Sequence, residues 1–354
     1  MEANSIQQNS VYQSVQVTHI QWETADAATF ELQPLNGWQP IYQSGQFITL
    51  VFTHHGIEER RSYSFSASPE LGEPMHITIK RVTNGMYSRH LLDHAREGEI
   101  FTTSGISGYF RLPDKSTATA VDQLFFLAAG SGITPVYALI KTALQTTDKP
   151  ITLVYSNRSE ADILFYAALQ KLRQQHPDRL HIEYLLSSIP SVYKSRLSNW
   201  LLQQLLVKLL QVPLSRCLFY LCGPFEYMRM ISITLLTEGV PAAHIKKEDF
   251  SSFKPTRKPQ PPDTAPHKVQ LHIADQIHHL TVQYPNSILA AAKEQGIALP
   301  YSCEAGRCGS CTATCTKGDI WMAYNEVLMD DEIAKGRILT CQGYPIHGDA
   351  EIQF

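Results

Sequence analysis

Leu299-Pro-Tyr-Ser-Cys-Glu-Ala-Gly-Arg-Cys-Gly-Ser-Cys311 puts three cysteines into nine residues, and a fourth, Cys341, follows after twenty-nine more. The spacing Cys303-x4-Cys308-x2-Cys311 with a distant fourth cysteine is one that holds a 2Fe-2S cluster. Two irons need four thiolates, and three can come from one loop only if it wraps tightly. Gly306 and Gly309 permit that wrap, because glycine tolerates positive φ. The loop's backbone N–H groups can then point at sulfur and tune the potential. A zinc site would favour two CxxC knuckles, and only Cys308–Cys311 has that spacing. Cys315 extends the run to a partial mimic of a 4Fe-4S motif. Thr316 stands where that motif has proline and its first CxxC is missing, so Cys315 is read as a buried small residue.

Five of the seven cysteines lie between residues 303 and 341. Such clustering, with no secretory leader ahead of it, points to a cluster site in a reducing compartment and a cytoplasmic location. The 354 residues, 44% apolar and 18% charged, suffice for two or three globular domains. A net charge of −3 gives no reason to expect nucleic-acid binding. The apolar stretches 124–140 and 200–214 are too interrupted for membrane insertion. The second reads as an amphipathic helix packed on a core.

Working back from the cysteines, Ser251–Pro266 holds five prolines and no apolar periodicity, as expected of a semi-rigid linker. Residues 1–10 read as a flexible leader. Residues 11–117 read as short strands (11–20, 46–52, 61–66, 76–82) with one helix near 88–95, an antiparallel β-barrel or sandwich. Residues 118–250 alternate strand and helix: strands 124–128, 151–155, 180–186, 217–221 and 245–250, and helices after Gly132, over 162–175 and over 224–237. That pattern is a parallel α/β sheet covered on both faces. Residues 267–354 form the last domain. Gly130 and Gly132, between a buried strand and a helix, suit a pyrophosphate at the helix dipole. Arg158 with Ser156 or Ser159, at the end of the second strand, suits a 2′-phosphate, so NADPH is expected rather than NADH. The alternative reading is a solvated loop arginine.

Three groups carry a resemblance: Arg61-Ser-Tyr-Ser64, Lys80-Arg-Val-Thr-Asn-Gly-Met-Tyr-Ser88 and Gly105-Ile-Ser-Gly-Tyr-Phe110. With Leu221-Cys-Gly-Pro224 they are similar to the ferredoxin-NADP reductase superfamily. Residues 289–311 and 339–342 resemble plant-type ferredoxins, which implies a β-grasp fold for the last domain and Cys303, Cys308, Cys311 and Cys341 as ligands. The order of modules resembles the reductase components of bacterial oxygenases, those of the phenylacetyl-CoA epoxidase type among them.

The resemblance implies FAD in preference to FMN. Tyr63 would pack on the isoalloxazine, Ser64 would bond near its N5, and Arg61 would fork onto the phosphate. Ser62, Lys80, Gly85, Met86 and Ser88 would complete the flavin site. Gly130, Gly132, Thr134, Arg158, Cys222, Gly223 and Pro224 would hold the nicotinamide nucleotide. Cys222 would lie beside the nicotinamide, its alternative reading being a structural cysteine. Phe250 would stand on the flavin and leave when nicotinamide stacks there.

Nicotinamide gives electrons in pairs and the cluster takes one, so flavin belongs between them. The implied path is NADPH, FAD, cluster, then an oxygenase or other iron-containing acceptor protein, consistent with a potential of about −400 mV for plant-type clusters. Asp330, Asp331 and Glu332 read either as a docking patch for a basic partner or as a solvated helix face. A general NAD(P)H:ferredoxin or flavin reductase and a cluster-based redox sensor are the other two readings.

Overall fold

The computed structural model describes residues 12–113, 121–191, 193, 195–250 and 259–354. The expected leader and the first half of the linker lie outside the described residues.

The first unit is built from β1 (Gln13–Thr24), β2 (Ala27–Pro34), β3 (Phe47–His54), β4 (Ile57–Ser64), β5 (Met75–Lys80), α1 (Met86–His94) and β6 (Ile100–Ser107). Its six strands run antiparallel in the order β4-β3-β6-β1-β2-β5. A bridge between Phe65 and Ile77 brings the end of β4 to β5, the opposite edge, and curls the sheet toward a barrel. Strand alternation turns Val15, Val17, Phe30, Ile48, Leu50 and Ile77 inward, and α1 caps them with Leu91 and Leu92. Two strands, β2 and β6, were not expected. Helix α1 starts at Met86, two residues early, because Gly85 is its N-cap in an extended conformation.

The second unit follows as β7 (Gln123–Ala129), α2 (Ile133–Thr146), β8 (Ile151–Asn157), α3 (Tyr166–Gln175), β9 (Leu180–Leu186), α4 (Asn199–Leu209), β10 (Cys217–Cys222), α5 (Phe225–Thr237) and β11 (Ile245–Glu248). All five strands are parallel, in the order β11-β10-β7-β8-β9. Leu124, Phe126 and Ala128 of β7 pack toward α2 and α3, while Phe125 and Leu127 pack toward α4 and α5. A strand covered on both faces is necessarily a continuous apolar run. The stretch that reads as an amphipathic helix is α4, which buries Leu201, Leu202, Leu205, Leu206 and Leu209 against this sheet. Each such leucine contributes roughly 1.5–3 kcal/mol.

Two expected boundaries shift. Helix α3 begins at Tyr166 rather than 162, because Ser159 and Asp162 form a capping box on a separate 3-10 turn and Phe165 then adopts φ 58°. Strand β11 ends at Glu248, so Asp249 and Phe250 leave the sheet. The two units join through polar contacts. Ser44 bonds Glu70 at 2.6 Å and Thr142 at 2.7 Å, and Lys141 of α2 pairs with Glu73.

The third unit comprises β12 (His267–Ile273), β13 (Gln276–Val282), α6 (Ile288–Glu294), β14 (Thr312–Met322), α7 (Asp330–Ala334), β15 (Arg337–Leu339) and β16 (Gly343–Gln353). Its sheet order is β13-β12-β16-β14-β15, mixed in sense, with α6 packed on the core: a β-grasp. The second half of the proline-rich segment is anchored here. Asp263 accepts from the backbone N–H of Ala265 and His347 at 2.9 Å each. Cys315, expected to be buried, is half-buried on β14 with Sγ 3.3 Å from the Lys317 carbonyl, because β14 is irregular there. Among the described residues no helix is long and apolar enough to cross a membrane.

Candidate electron-transfer site

The cluster loop leaves α6 at Gly296 and winds to Cys311. Gly306 (φ +75°) and Gly309 (φ +73°) are required twice over. Their conformation disfavours other residues, and a Cβ would lie 2.7 Å from the Tyr324 carbonyl or from the Tyr109 ring, respectively. The four thiols come as two contacting pairs, Cys303 with Cys308 and Cys311 with Cys341. Two such pairs would suit a centre of two irons, with two thiols for each. Among the described residues no three His, Cys, Asp or Glu side chains gather as for a single ion. Ala305 N–H donates to Cys303 Sγ at 3.3 Å, and the N–H groups of Arg307 and Cys308 also point at it. The Cys308 thiol first, then these donors, hold the Cys303 thiol below the ordinary range. Thr340 Oγ1 donates to the Cys311 carbonyl at 3.0 Å and ties the last ligand to the loop. Paired thiols with backbone donors aimed at sulfur fit a 2Fe-2S cluster.

A cavity of about 570 Å³ lies against this loop. Its walls come from all three units: Arg61, Ser62 and Ser64 of β4, Glu248 and Phe250, and Cys303 and Cys308. Ser64 is buried and donates to Glu248 Oε2 at 3.1 Å. Glu248 Oε1 is buried with no hydrogen-bond partner, and burial pushes the carboxyl up to about 8 despite the Ser64 bond. A buried acid with one partnerless oxygen beside a cavity suits a polar ring edge such as that of a flavin.

Ser62 faces the cluster loop, its Oγ 2.8 Å from Ser302 Oγ. Tyr63, one residue on, points away and packs on the barrel core, so the structure does not bring it to this cavity. Arg61 lies over the Tyr87 ring at 4.7 Å and pairs with Glu59 at 2.6 Å. Ser88 Oγ accepts from Val82 N–H at 3.1 Å beside Gly85, whereas Met86 is exposed.

A second cleft of about 730 Å³ runs over the C-terminal ends of the parallel strands, where open α/β sheets take their ligands. Lys80, Gly130, Gly132, Arg158, Gly223 and Pro224 line it. A Cβ on Gly132 would fall 2.1 Å from the Cys222 carbonyl, so only glycine lets the turn after β7 pack on the turn after β10. Thr134 is buried with Oγ1 unpartnered. Cys222 is fully buried at the end of β10, in register with Glu248, and desolvation raises its thiol well above the ordinary range. Arg158, its side chain 77% exposed, pairs with Asp162 at 2.8 Å. Hydrogen bonds from Ser159 and then Arg158 hold Asp162 below the usual carboxylate range.

Phe250 lines both cavities. Sequence reasoning singled it out but gave Glu248, in the same Glu248-Asp-Phe250 stretch, no role. Tyr109, Tyr301 and Arg307 stand inside the quoted motifs and were likewise given none, and Arg60 and Arg196, which line the two cavities, were missed. For Arg60 the doubled arginine at 60–61 was the available signal.

Residues 14–112 match the family described as oxidoreductase FAD-binding domain, 126–232 the oxidoreductase NAD-binding domain, and 271–345 the 2Fe-2S iron-sulfur cluster binding domain. The chain is 32% identical over 322 residues (88% of this chain, 85% of the relative) to the ferredoxin reductase component of 3-ketosteroid-9-alpha-monooxygenase from Mycobacterium tuberculosis (strain CDC 1551 / Oshkosh). It is 31% identical over 356 residues, 98% of each chain, to one of the subunits of 1,2-phenylacetyl-CoA epoxidase from Escherichia coli (strain K12). The fold matches phthalate dioxygenase reductase with TM-score 0.58 at 22% identity, covering 97% of this chain and 98% of that one. The chain therefore belongs to the family of oxygenase reductase components, NAD(P)H-dependent oxidoreductases in which an FAD-binding barrel, a nicotinamide-binding α/β domain and a 2Fe-2S ferredoxin domain follow one another.

Proposed function

We propose that this chain takes a hydride from NADPH and delivers the electrons singly to the iron centre of a separate oxygenase in the cytoplasm, a phenylacetyl-CoA epoxidase or an enzyme of that kind. One observation carries the reading. A single cavity is walled by Ser64 from the barrel, Glu248 and Phe250 from the α/β unit, and Cys303 and Cys308 from the ferredoxin unit.

In this reading Arg61, Ser62, Ser64, Lys80, Gly85, Met86 and Ser88 hold FAD, while Tyr63 packs behind the cavity wall on the barrel core. Gly130, Gly132, Thr134, Arg158, Cys222, Gly223 and Pro224 hold the coenzyme, and Cys303, Cys308, Cys311 and Cys341 hold the cluster. Bound flavin supplies the conversion from two-electron to one-electron transfer. Ser64 orients the ring edge by hydrogen bonding. Glu248, its pKa raised to about 8 by burial, keeps its carboxyl protonated at neutral pH beside the cavity. Phe250 shields the cavity until nicotinamide replaces it, and Cys222, fully buried, packs beneath the Gly132 turn at the cleft floor. Gly132 and Gly223 let the two turns that floor the coenzyme cleft pack on one another. NADPH is favoured by Arg158 and Arg196, two guanidiniums on the cleft rim that could take a 2′-phosphate, Arg158 in competition with Asp162.

A second reading, NADH, rests on Asp162. Its carboxylate sits on the same rim and could bond a ribose 2′-OH. Anaerobic titration of the holoprotein with each coenzyme, followed by optical and EPR spectra, distinguishes them. Faster bleaching with NADPH and a rhombic signal of a reduced 2Fe-2S centre are expected. Faster bleaching with NADH would reverse the coenzyme assignment, and absence of the EPR signal would refute the relay.

A further inference from the structure

The ferredoxin unit meets the rest of the chain along the cluster loop itself. On one flank Arg60 donates to the Tyr301 carbonyl at 2.9 Å, beside the Ser62–Ser302 contact. On the other flank Arg307, next to the ligand Cys308, reaches Asp249 at 3.5 Å and Glu326 at 3.5 Å. The side chains of Arg307 and Asp249 are only 9% and 10% exposed. Asp249 has no place in the sheet. It follows Glu248, which is held by Ser64, and precedes Phe250, which lines both the flavin cavity and the nucleotide cleft. Three consecutive residues thus touch the flavin-side serine, the cluster loop and the coenzyme cleft.

We propose that Arg307 and Asp249 form a latch that seats the cluster loop on the flavin cavity and loosens when a nicotinamide nucleotide fills the cleft and displaces Phe250. The inference rests on the occupant proposed above for that cleft. Adjacent Cα atoms are about 3.8 Å apart, so a ring leaving the flavin face pulls on the Asp249 backbone. A contact already at 3.5 Å fails with a shift of about an ångström. Letting go leaves the guanidinium paired, because Glu326, in Arg307's own unit, remains 3.5 Å away. An arginine with one carboxylate on each side of an interface has two satisfied states, as a switch requires. Arg307 is a positioning residue in this scheme: it acts on where the loop sits.

Hydrogen exchange on the oxidised holoprotein tests this with NADP+, which binds without reducing. Calorimetry on the same samples reports binding. In the wild type, bound NADP+ should raise exchange of the 301–308 amides severalfold. Arg307→Gln should show that raised level without nucleotide and no further response. Asp249→Asn, which leaves the cluster loop's sequence intact, should do the same. Bound NADP+ with unchanged loop exchange, or both variants matching the wild type, overturns the latch while leaving the proposed function standing. If neither NADP+ nor NAD+ binds, the proposed occupant is wrong and the trigger falls with it.

Discussion

The guanidinium of Arg60 lies over the ring of Tyr301, 3.6 Å from its centroid, although the two are 241 positions apart. Arg60 is 7% exposed, and it also donates to Glu58 at 2.7 Å and to the Tyr12 hydroxyl at 3.0 Å. It belongs to the flavin barrel, Tyr301 to the cluster loop, and the pair fastens one module to the other.

Truncating Arg60 removes a cation–π contact and leaves the Tyr301 carbonyl and Glu58 short of donors. The cost should be roughly 2–4 kcal/mol, concentrated at the module boundary. Arg60→Ala is expected to leave coenzyme-driven flavin reduction near wild type, slow cluster reduction at least tenfold, and hasten proteolysis within 251–266. Arg60→Lys should fall between, since it keeps the charge and loses the planar fork. Slowed flavin reduction with intact cluster reduction would contradict the assignment.

The cysteine spacing was legible because the constraint is local: a short loop must supply three thiolates, and glycine marks where it bends. The parallel strands were legible because burial on both faces leaves continuous apolar runs, as in Leu124–Ala128. Strand β2 was not, since Ala27 and Ala28 carry little strand preference, and β6 runs into Gly105, which reads as a turn. The faces of β4 were also hidden. Nothing in Arg-Ser-Tyr-Ser says that Ser62 and Ser64 turn to the cavity while Tyr63 turns to the core. The Arg60–Tyr301 and Asp249–Arg307 contacts join residues far apart in sequence, and no periodicity reports them.

Glu248 makes stability pH-dependent in a stated direction. Its folded pKa, about 8, lies above the unfolded value of 4.5. Between those values the folded chain keeps a proton that the unfolded chain has lost, so stability falls as pH rises, by up to about 1.4 kcal/mol per unit. Above about 8 the slope vanishes. Glu248→Gln removes the titration. Urea midpoints of the variant should approach and then exceed those of the wild type from about pH 5 to about pH 8. Parallel curves would mean that Glu248 is ionised in the folded protein.

Cluster and flavin should be separable. Cys341→Ser removes one thiol of the Cys311–Cys341 pair, proposed above to hold the cluster and buried in the ferredoxin core. The purified variant should keep its yellow flavin and its coenzyme-driven ferricyanide reduction. It should lose most of its iron, its rhombic EPR signal and more than about 90% of its cytochrome c reduction. Chelation of iron from the wild type should reproduce the pattern. Loss of flavin together with iron would show that the barrel depends on the ferredoxin unit for its fold.

In the proposed reading, coenzyme choice turns on one ion pair. Arg158 is tied to Asp162 at 2.8 Å, so a 2′-phosphate must compete with a carboxylate for the guanidinium. Removing the competitor should help the phosphate, and removing the arginine should hurt it. Asp162→Asn keeps a side-chain acceptor for Ser159 and should raise kcat/KM for NADPH severalfold while lowering it for NADH. Arg158→Ala should lower kcat/KM for NADPH about tenfold, the value of a charge-assisted hydrogen bond at an exposed site, and change NADH little. Initial rates of ferricyanide reduction with both coenzymes give the four ratios. Equal losses for both coenzymes in Arg158→Ala would move phosphate recognition to another arginine of the rim, with Arg196 lining the same cleft from the segment before α4.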